Sequence, residues 1–321
     1  MTDNQELNYL ELLSQDLYDD EYLVSLTLPY LPPYRWDELI AFLDVRTIEG
    51  VETVLEGVYY RTVRMTTEQG QSVTGWLGVD NDESKQAIRL TLTKTLQPVL
   101  PQIVLKTGRM FDLDCNPHEM HQHLSKMNKV KSGIYVPGTR VPGSFDVFEM
   151  SVRAVLGQQI TVKAAQTIAG RFAQKHGTPI QTNVVGLTHI FPTPAEILEL
   201  EGSIADHLGP LGVTGRRSQT ILALAEMIEE EKIDFSTCGD AESKIKELIK
   251  IPGIGPWTAH YIAMRTFKWP DAFPSTDYGV KKVLEPRTQK EITALAENWR
   301  PWRAYATINL WNSLSEGKED V

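Results

Sequence analysis

Residues 241–266, "AESKIKELIKIPGIGPWTAHYIAMRT", constrain the fold more than any other stretch of the chain. Two runs with apolar residues at helical spacing flank Pro252-Gly253-Ile254-Gly255-Pro256. Gly253 and Gly255 can adopt the positive φ that other residues resist, so the chain can reverse within a few residues. Pro256 suits the first turn of the second helix, where its missing N–H costs nothing. Ile254, apolar between two glycines, is expected to plug the space between the helices. The N–H groups of 253–258 should then face outward at a helix N-terminus, an anion site that a DNA phosphate fits. Lys244 and Lys250 are expected to add Coulomb attraction. A bare Gly-x-Gly also serves any ordinary helical hairpin as a bend. The longer string between two amphipathic helices is more specific: it reads as an element that grips a nucleic-acid backbone without reading its sequence. The candidate DNA contacts here are Pro252, Gly253, Ile254, Gly255, Trp257 and Thr258.

The net charge of −10 runs against a nucleic-acid partner until its distribution is considered. Residues 1–21 carry seven acidic residues and no Lys or Arg, and the last seven residues carry a further −2, which leaves −1 for residues 22–314. A near-neutral body allows a local basic face, and backbone dipoles need no net charge to hold a phosphate. Two cysteines, Cys115 and Cys238, supply neither a disulfide framework nor a four-cysteine metal or cluster site. No apolar run reaches the roughly 18–20 residues of a membrane span, and the acidic first residues do not resemble a secretory signal. The expected compartment is the cytoplasm, in association with the nucleoid.

The fold class expected is α+β. Residues 1–21 read as an acidic leader, either a solvated tail or one short helix in "LNYLELLSQDLYDD". Residues 22–115 read as a small domain with an antiparallel sheet: "YLVSLTL", "VYYRTVRM", "SVTGWLGVD" and "AIRLTLTKTL" alternate with period two. One helix interrupts them, "RWDELIAFLDVRTI", with Leu39, Phe42, Leu43 and Ile48 on one side. Residues 116–321 read as all helical, with short Gly/Pro-bearing loops.

Asp277, in "AFPSTDYGVKKVL", sits at the start of an amphipathic segment beside Ser275 and Thr276. All three are helix-capping types, so a plain N-cap is one account of it. The other is chemical: a helix N-terminus favours the ionised carboxylate and fixes its direction, and a fixed carboxylate can stabilise a cationic sugar or orient an attacking water. Trp257 and Tyr261 lie four apart, hence on one helical face, and Trp269, Trp299, Trp302 and Trp311 follow in the last third of the chain. Core packing is the common fate of such aromatics. Five of the seven tryptophans in this one region exceed that need, and an indole–phenol box would hold a cationic, flipped-out base by stacking and cation–π attraction.

"IPGIGPWTAHYIAMR", "FPSTDYGVKKVL" and "WRPWRAYATINLWNSL" together resemble the helix-hairpin-helix DNA glycosylase superfamily, and within it the AlkA type. The resemblance extends through "FDLDCNP", "VPGSFDVFEMSVRAVLGQQITVKAA" and "FPTPAEI" to "LPPYRWDELIAFLDVRTIEGVE", about residues 23–314. It implies two helical subdomains with a cleft between them, and a monofunctional enzyme that bends double-stranded DNA, flips an alkylated purine and hydrolyses its N-glycosidic bond. On this basis Asp277 is the catalytic carboxylate. Trp257, Tyr261 and Trp311 form the base pocket, which Phe42 and Arg46 approach from the first domain. Gln158 or Gln159 fills the gap left by the flipped base, in place of a leucine. The resemblance implies a monomer, no cofactor and no catalytic metal; a monovalent or divalent cation at the hairpin is compatible with it. Lyase relatives carry a lysine in the helix after the hairpin; "GPWTAHYIAMR" has none. The alternatives are a bifunctional oxidised-purine glycosylase/lyase and a non-catalytic DNA-binding module.

Overall fold

The computed structural model describes residues 18–19 and 21–315. The amino-terminal third forms a six-stranded antiparallel sheet from β1 (Tyr18–Asp19), β2 (Leu23–Pro29), β3 (Glu52–Leu55), β4 (Val58–Thr66), β5 (Ser72–Asp82) and β6 (Ala87–Thr93), in the order β1-β2-β6-β5-β4-β3. Period two is plain in β2, where Val24, Leu26 and Leu28 are buried and the residues between them are not. Helix α1 (Trp36–Asp44) buries Leu39, Ile40, Phe42 and Leu43. Ile48, just beyond its end, is buried as well.

Helices α2 (Leu100–Met110), α3 (Pro117–Leu124), α4 (Val147–Leu156), α5 (Val162–His176), α6 (Pro194–Leu198), α7 (Ile204–Leu208) and α8 (Gly215–Glu229) follow. They lead to the hairpin pair α9 (Ala241–Ile249) and α10 (Pro256–Arg265), then α11 (Tyr278–Leu284), α12 (Gln289–Ala296) and α13 (Arg303–Ser315). Thr161, Thr193, Thr214, Asp240, Asp277 and Thr288 cap their helices by accepting first-turn N–H groups.

Four expectations need correcting. Tyr18–Asp19 is neither tail nor helix: its backbone pairs with β2, Tyr18 opposite Ser25, and the rest of the leader up to residue 17 lies outside the described residues. The sheet domain gains β3, hidden because "ETVL" is too short to show a period. It also gains α2, whose run "LTLTKTLQPVL" looks β-branched up to the point where Pro101 opens the helix. The carboxy-terminal region is not wholly helical: Thr178–Pro179 (β7) pairs with His189–Ile190 (β8), and Leu187 bridges to Gly50 next to the sheet.

The sheet and the helical region are fastened by a buried cluster of four charges. Arg61 of β4 donates to Glu149 of α4 at 2.7 Å and lies 3.7 Å from Glu52. Arg153, one turn on from Glu149, donates to Glu52 at 2.8 Å and to Glu149 at 3.3 Å. Tyr59 O–H and the Ile48 N–H also donate to Glu52. Burial raises the Glu52 carboxyl, but Arg153 and Arg61 outweigh it and hold it below its ordinary value. Glu149 stays above its ordinary value, because burial is its largest influence. Two guanidiniums and two carboxylates balance, so the cluster persists without solvent; removing one partner strands a charge. Glu52→Ala should therefore lower the unfolding free energy by about 3–5 kcal/mol in urea denaturation. An unchanged midpoint would show that the cluster contributes nothing to stability.

Candidate active site

The hairpin turns where the sequence places it. Gly253 has φ +98°, and a Cβ there would fall 2.1 Å from Thr220 Oγ1, so no other residue fits. The Thr220 hydroxyl donates to the Pro252 carbonyl at 2.8 Å. Ile254 is buried between the helices. Gly255 is the N-cap of α10 and provides no side-chain acceptor for the first-turn N–H groups. A Cβ at Gly255 would meet nothing within 4 Å, so this face is open to an incoming phosphate.

Not all of the turn points outward as expected. The Ile254 N–H donates inward to the Ile251 carbonyl at 3.0 Å, and the Thr258 side chain is buried. Lys250 is exposed and pairs with Glu247. Lys244 is half-buried and already engaged: its ammonium donates to the carbonyls of Asp234 and Thr237 and closes a loop.

Gln158 and Gln159 separate clearly. Gln158 Nε2 donates to the Gly253 carbonyl at 2.9 Å and to Thr258 Oγ1 at 3.0 Å, tying the end of α4 to the hairpin, while its own carbonyl accepts from Arg217. Gln159 is exposed and held at φ +55°, a conformation that costs a non-glycine residue energy.

Asp277 both caps α11 and does something further. Its Oδ1 accepts the Val280 N–H at 3.1 Å, the capping bond. The same oxygen accepts the Trp311 indole N–H at 2.8 Å, and Oδ2 accepts the Trp257 indole N–H at 3.0 Å. A carboxylate has about four lone-pair positions; among the described residues three are filled, and the fourth, on Oδ2, can accept from a substrate or water. Trp257 stacks on Tyr261 at 5.3 Å, and Tyr261 lies 6.2 Å from Trp311. These four residues line a cavity of about 430 Å³, together with Arg46, Arg153, Tyr278 and Gly279; small-molecule sites span roughly 300–1,000 Å³.

Phe42 does not line that cavity. It is buried behind Trp311, stacked at 6.3 Å and 13°, with Arg46 over its ring at 3.7 Å. The other late tryptophans belong to the core: Trp299 is fully buried, Trp302 packs edge-on against Tyr305, and Trp269 stacks on His260. The residues with no sequence signal are Arg153 and Arg265. Arg153 Nη2 donates to the Arg46 carbonyl, which couples the buried charge cluster to the cavity wall. Arg265 donates to the Tyr261 hydroxyl at 2.9 Å. Burial alone would raise the Tyr261 phenol, but Arg265, Arg46 and Arg153 outweigh it and leave the phenol below its ordinary value.

A hairpin with an open N-cap, leading to a carboxylate held by two indoles in a cavity, is matched by what the chain resembles. Residues 25–146 match the AlkA N-terminal domain, and residues 152–299 match the HhH-GPD superfamily base excision DNA repair protein family. The DNA-3-methyladenine glycosylase 2 of Escherichia coli is 32% identical over 285 residues, covering 89% of this chain and 96% of that protein. The chain belongs to the AlkA family of helix-hairpin-helix DNA glycosylases. A probable bifunctional transcriptional activator/DNA repair enzyme AlkA of Mycobacterium tuberculosis is 33% identical over 91% of this chain, which spans 57% of that longer protein. The 3-methyladenine DNA-glycosylase of Archaeoglobus fulgidus shares the fold, with a TM-score of 0.72 at 21% identity over 92% of this chain and 99% of that one.

His260 steadies the loop that carries Asp277. Its Nδ1 accepts the Phe273 N–H at 3.2 Å, and burial with the nearby Arg303 lowers its pKa to about 4. Below about pH 6.5 the unfolded chain takes up a proton on this imidazole that the folded protein refuses until about pH 4. Stability should therefore fall as pH drops through that window, by on the order of 2–3 kcal/mol from this group. Urea denaturation of wild type and His260→Asn, whose amide oxygen can accept the same bond, checks it: the variant should lose less stability between pH 6.5 and 4.

Proposed function

We propose that this AlkA-family chain is a monofunctional DNA glycosylase that removes alkylated purines of the 3-methyladenine and 7-methylguanine type from double-stranded DNA in base excision repair. The observation that carries the reading is the Asp277 carboxylate, fixed by the N–H groups of Val280, Trp257 and Trp311 at the wall of an aromatic cavity. Catalysis would proceed by breaking the bond between C1′ and the base nitrogen, the electron pair leaving with the base. Positive charge then develops on the sugar, and a carboxylate that cannot rotate away stabilises it. Water adds to C1′ and gives up a proton, for which the free lone pair on Oδ2 is an acceptor. An N3- or N7-alkylated purine is already cationic, so the leaving base needs no general acid.

Placement supports the remaining roles in this reading. Trp257, Tyr261, Trp311 and Arg46 contact the flipped base, with Phe42 supporting Trp311 from behind. Pro252, Gly253, Gly255 and the first turn of α10 hold the strand, with Ile254 and Thr258 shaping the turn from inside. A cation bound at the hairpin would act on the phosphate alone. Gln159, exposed and strained, is the wedge, and Gln158 is the brace beneath it. The protein would act as a monomer on nucleoid DNA, with water as co-substrate and no resident cofactor. Among the described residues, no helix is long and apolar enough to cross a membrane.

Asp277→Asn should lower single-turnover release of 7-methylguanine and 3-methyladenine from methylated duplex DNA by about a hundredfold or more, with duplex binding kept. Release at the wild-type rate would remove Asp277 from the mechanism. Binding without release of any base by wild type would leave the DNA-binding module as the answer. Borohydride should trap no covalent protein–DNA adduct, because α10 offers no lysine at the cavity; a trapped adduct would establish the lyase alternative.

A further inference from the structure

Gly279 is the second residue of α11 and lines the cavity two positions after Asp277. Glycine is the least favourable ordinary residue inside a helix, and the backbone gives no reason for it, since Gly279 is not among the glycines with positive φ. The reason lies across the cavity wall. A Cβ at Gly279 would fall 2.8 Å from Trp311 Cδ1, 3.2 Å from Trp311 Nε1 and 3.1 Å from Asp277 Oδ1. The first distance is shorter than real Cβ contacts allow, so the indole would have to move.

Its retreat is blocked. Trp311 stacks on buried Phe42, and the Phe42 ring is covered in turn by the guanidiniums of Arg46 at 3.7 Å and Arg265 at 5.0 Å. The movement that remains swings the Cδ1–Nε1 edge away from Gly279, and that is the edge that donates to Asp277. We infer that Gly279 is a positioning residue: its missing side chain lets Trp311 lie edge-on against α11 and donate its indole N–H to the carboxylate. The inference rests on the proposed catalytic role of Asp277 and deepens it, because it assigns the alignment of that carboxylate partly to a gap in the helix.

The test is Gly279→Ala in the full chain, read in two independent ways. In single-turnover release of 7-methylguanine from methylated duplex DNA, the rate should fall about tenfold, the size expected when one hydrogen bond to a charged acceptor is lost. Duplex affinity should change by less than about twofold, and the thermal midpoint should fall only modestly, since the strain of the displaced indole is partly offset by the better helix propensity of alanine. In spectra of protein labelled with ¹⁵N-indole, the Trp311 Nε1–H resonance should move upfield as its hydrogen bond breaks. In a Trp311→Phe background, Gly279→Ala should have little further effect on the rate, since the indole N–H whose bond it would break is already absent. Gly279→Ser, which carries the same Cβ, should reproduce the loss. A wild-type rate in Gly279→Ala, an unmoved Trp311 resonance, or an equal further loss in the Trp311→Phe background would each overturn the inference. Should wild type release no methylated base, the functional reading fails, and the indole resonance still decides whether Gly279 sets the Trp311–Asp277 bond.

Discussion

The Asp277 carboxylate is held by three donors that reach it from separate elements: the backbone at the start of α11, Trp257 on α10 and Trp311 on α13. The two indole bonds depend on the relative placement of α10, α11 and α13, so the site is only as rigid as the packing between them. Asp271, a buried carboxylate, supplies the shared reference. Asp271 accepts from Arg303 twice, at 2.7 and 2.8 Å, where α13 begins. The same residue opens the loop that runs through Phe273, bonded to His260, to Asp277. The carboxylate and the indole that meet at the cavity thus both start from the Asp271–Arg303 fork. A bidentate pair fixes direction as well as distance, which suits a site where rotation of one side chain would break the arrangement.

A comparable logic joins the two parts of the chain. The sheet contributes Arg46 to the cavity wall, yet Arg46 follows the end of α1, where the chain has little regular structure to hold it. Its guanidinium folds back to donate to the Phe42 carbonyl at 2.9 Å, and its own carbonyl accepts from Arg153. Arg153 is in turn part of the buried cluster that pins β4 to α4. The charge cluster therefore has two effects at once: it attaches the sheet, and it carries one wall of the cavity into register with the other.

What could be read in the sequence was whatever local backbone chemistry decides. Gly253 and Pro256 declared the hairpin because few residues satisfy that turn, and the alternation in "LVSLTL" declared β2 because one face must be buried. Asp277 was legible as a cap, with Trp257 and Tyr261 on a common face by helical spacing. What local chemistry does not decide was not legible. Nothing in spacing distinguishes Trp311, at the cavity, from Trp299, in the core. Lys244 looks like a surface cation and is spent on loop carbonyls, because the chain folds back over it. Arg153 and Arg265 sit in helical runs where an arginine usually means a solvated face; Arg153 is instead largely enclosed and Arg265 buried, because acceptors from remote segments meet them there, Glu52 for one and the Gly143 carbonyl for the other. The difference between Gln158 and Gln159 also needed three dimensions, since it lies in the contacts of Gln158 with the hairpin and in the exposure and positive φ of Gln159.

Those arginines change how the cavity treats charge. Indole faces alone would favour a cationic base by roughly 0.5–2 kcal/mol, and Asp277 adds to that attraction. At the far wall the charge of Arg153 is met by Glu52 and Glu149, but Arg46 and Arg265 converge on the Tyr261 phenol and depress its pKa despite burial. A field that favours a phenolate opposes a cation at the same place, and two unit charges about 4 Å apart interact by about 4 kcal/mol at protein-surface dielectric. The cavity is therefore polarised rather than uniformly suited to positive charge. Under the proposed function, this polarity favours the electron-poor, alkylated edge of a purine near Trp257, Trp311 and Asp277, and a carbonyl oxygen near Arg46.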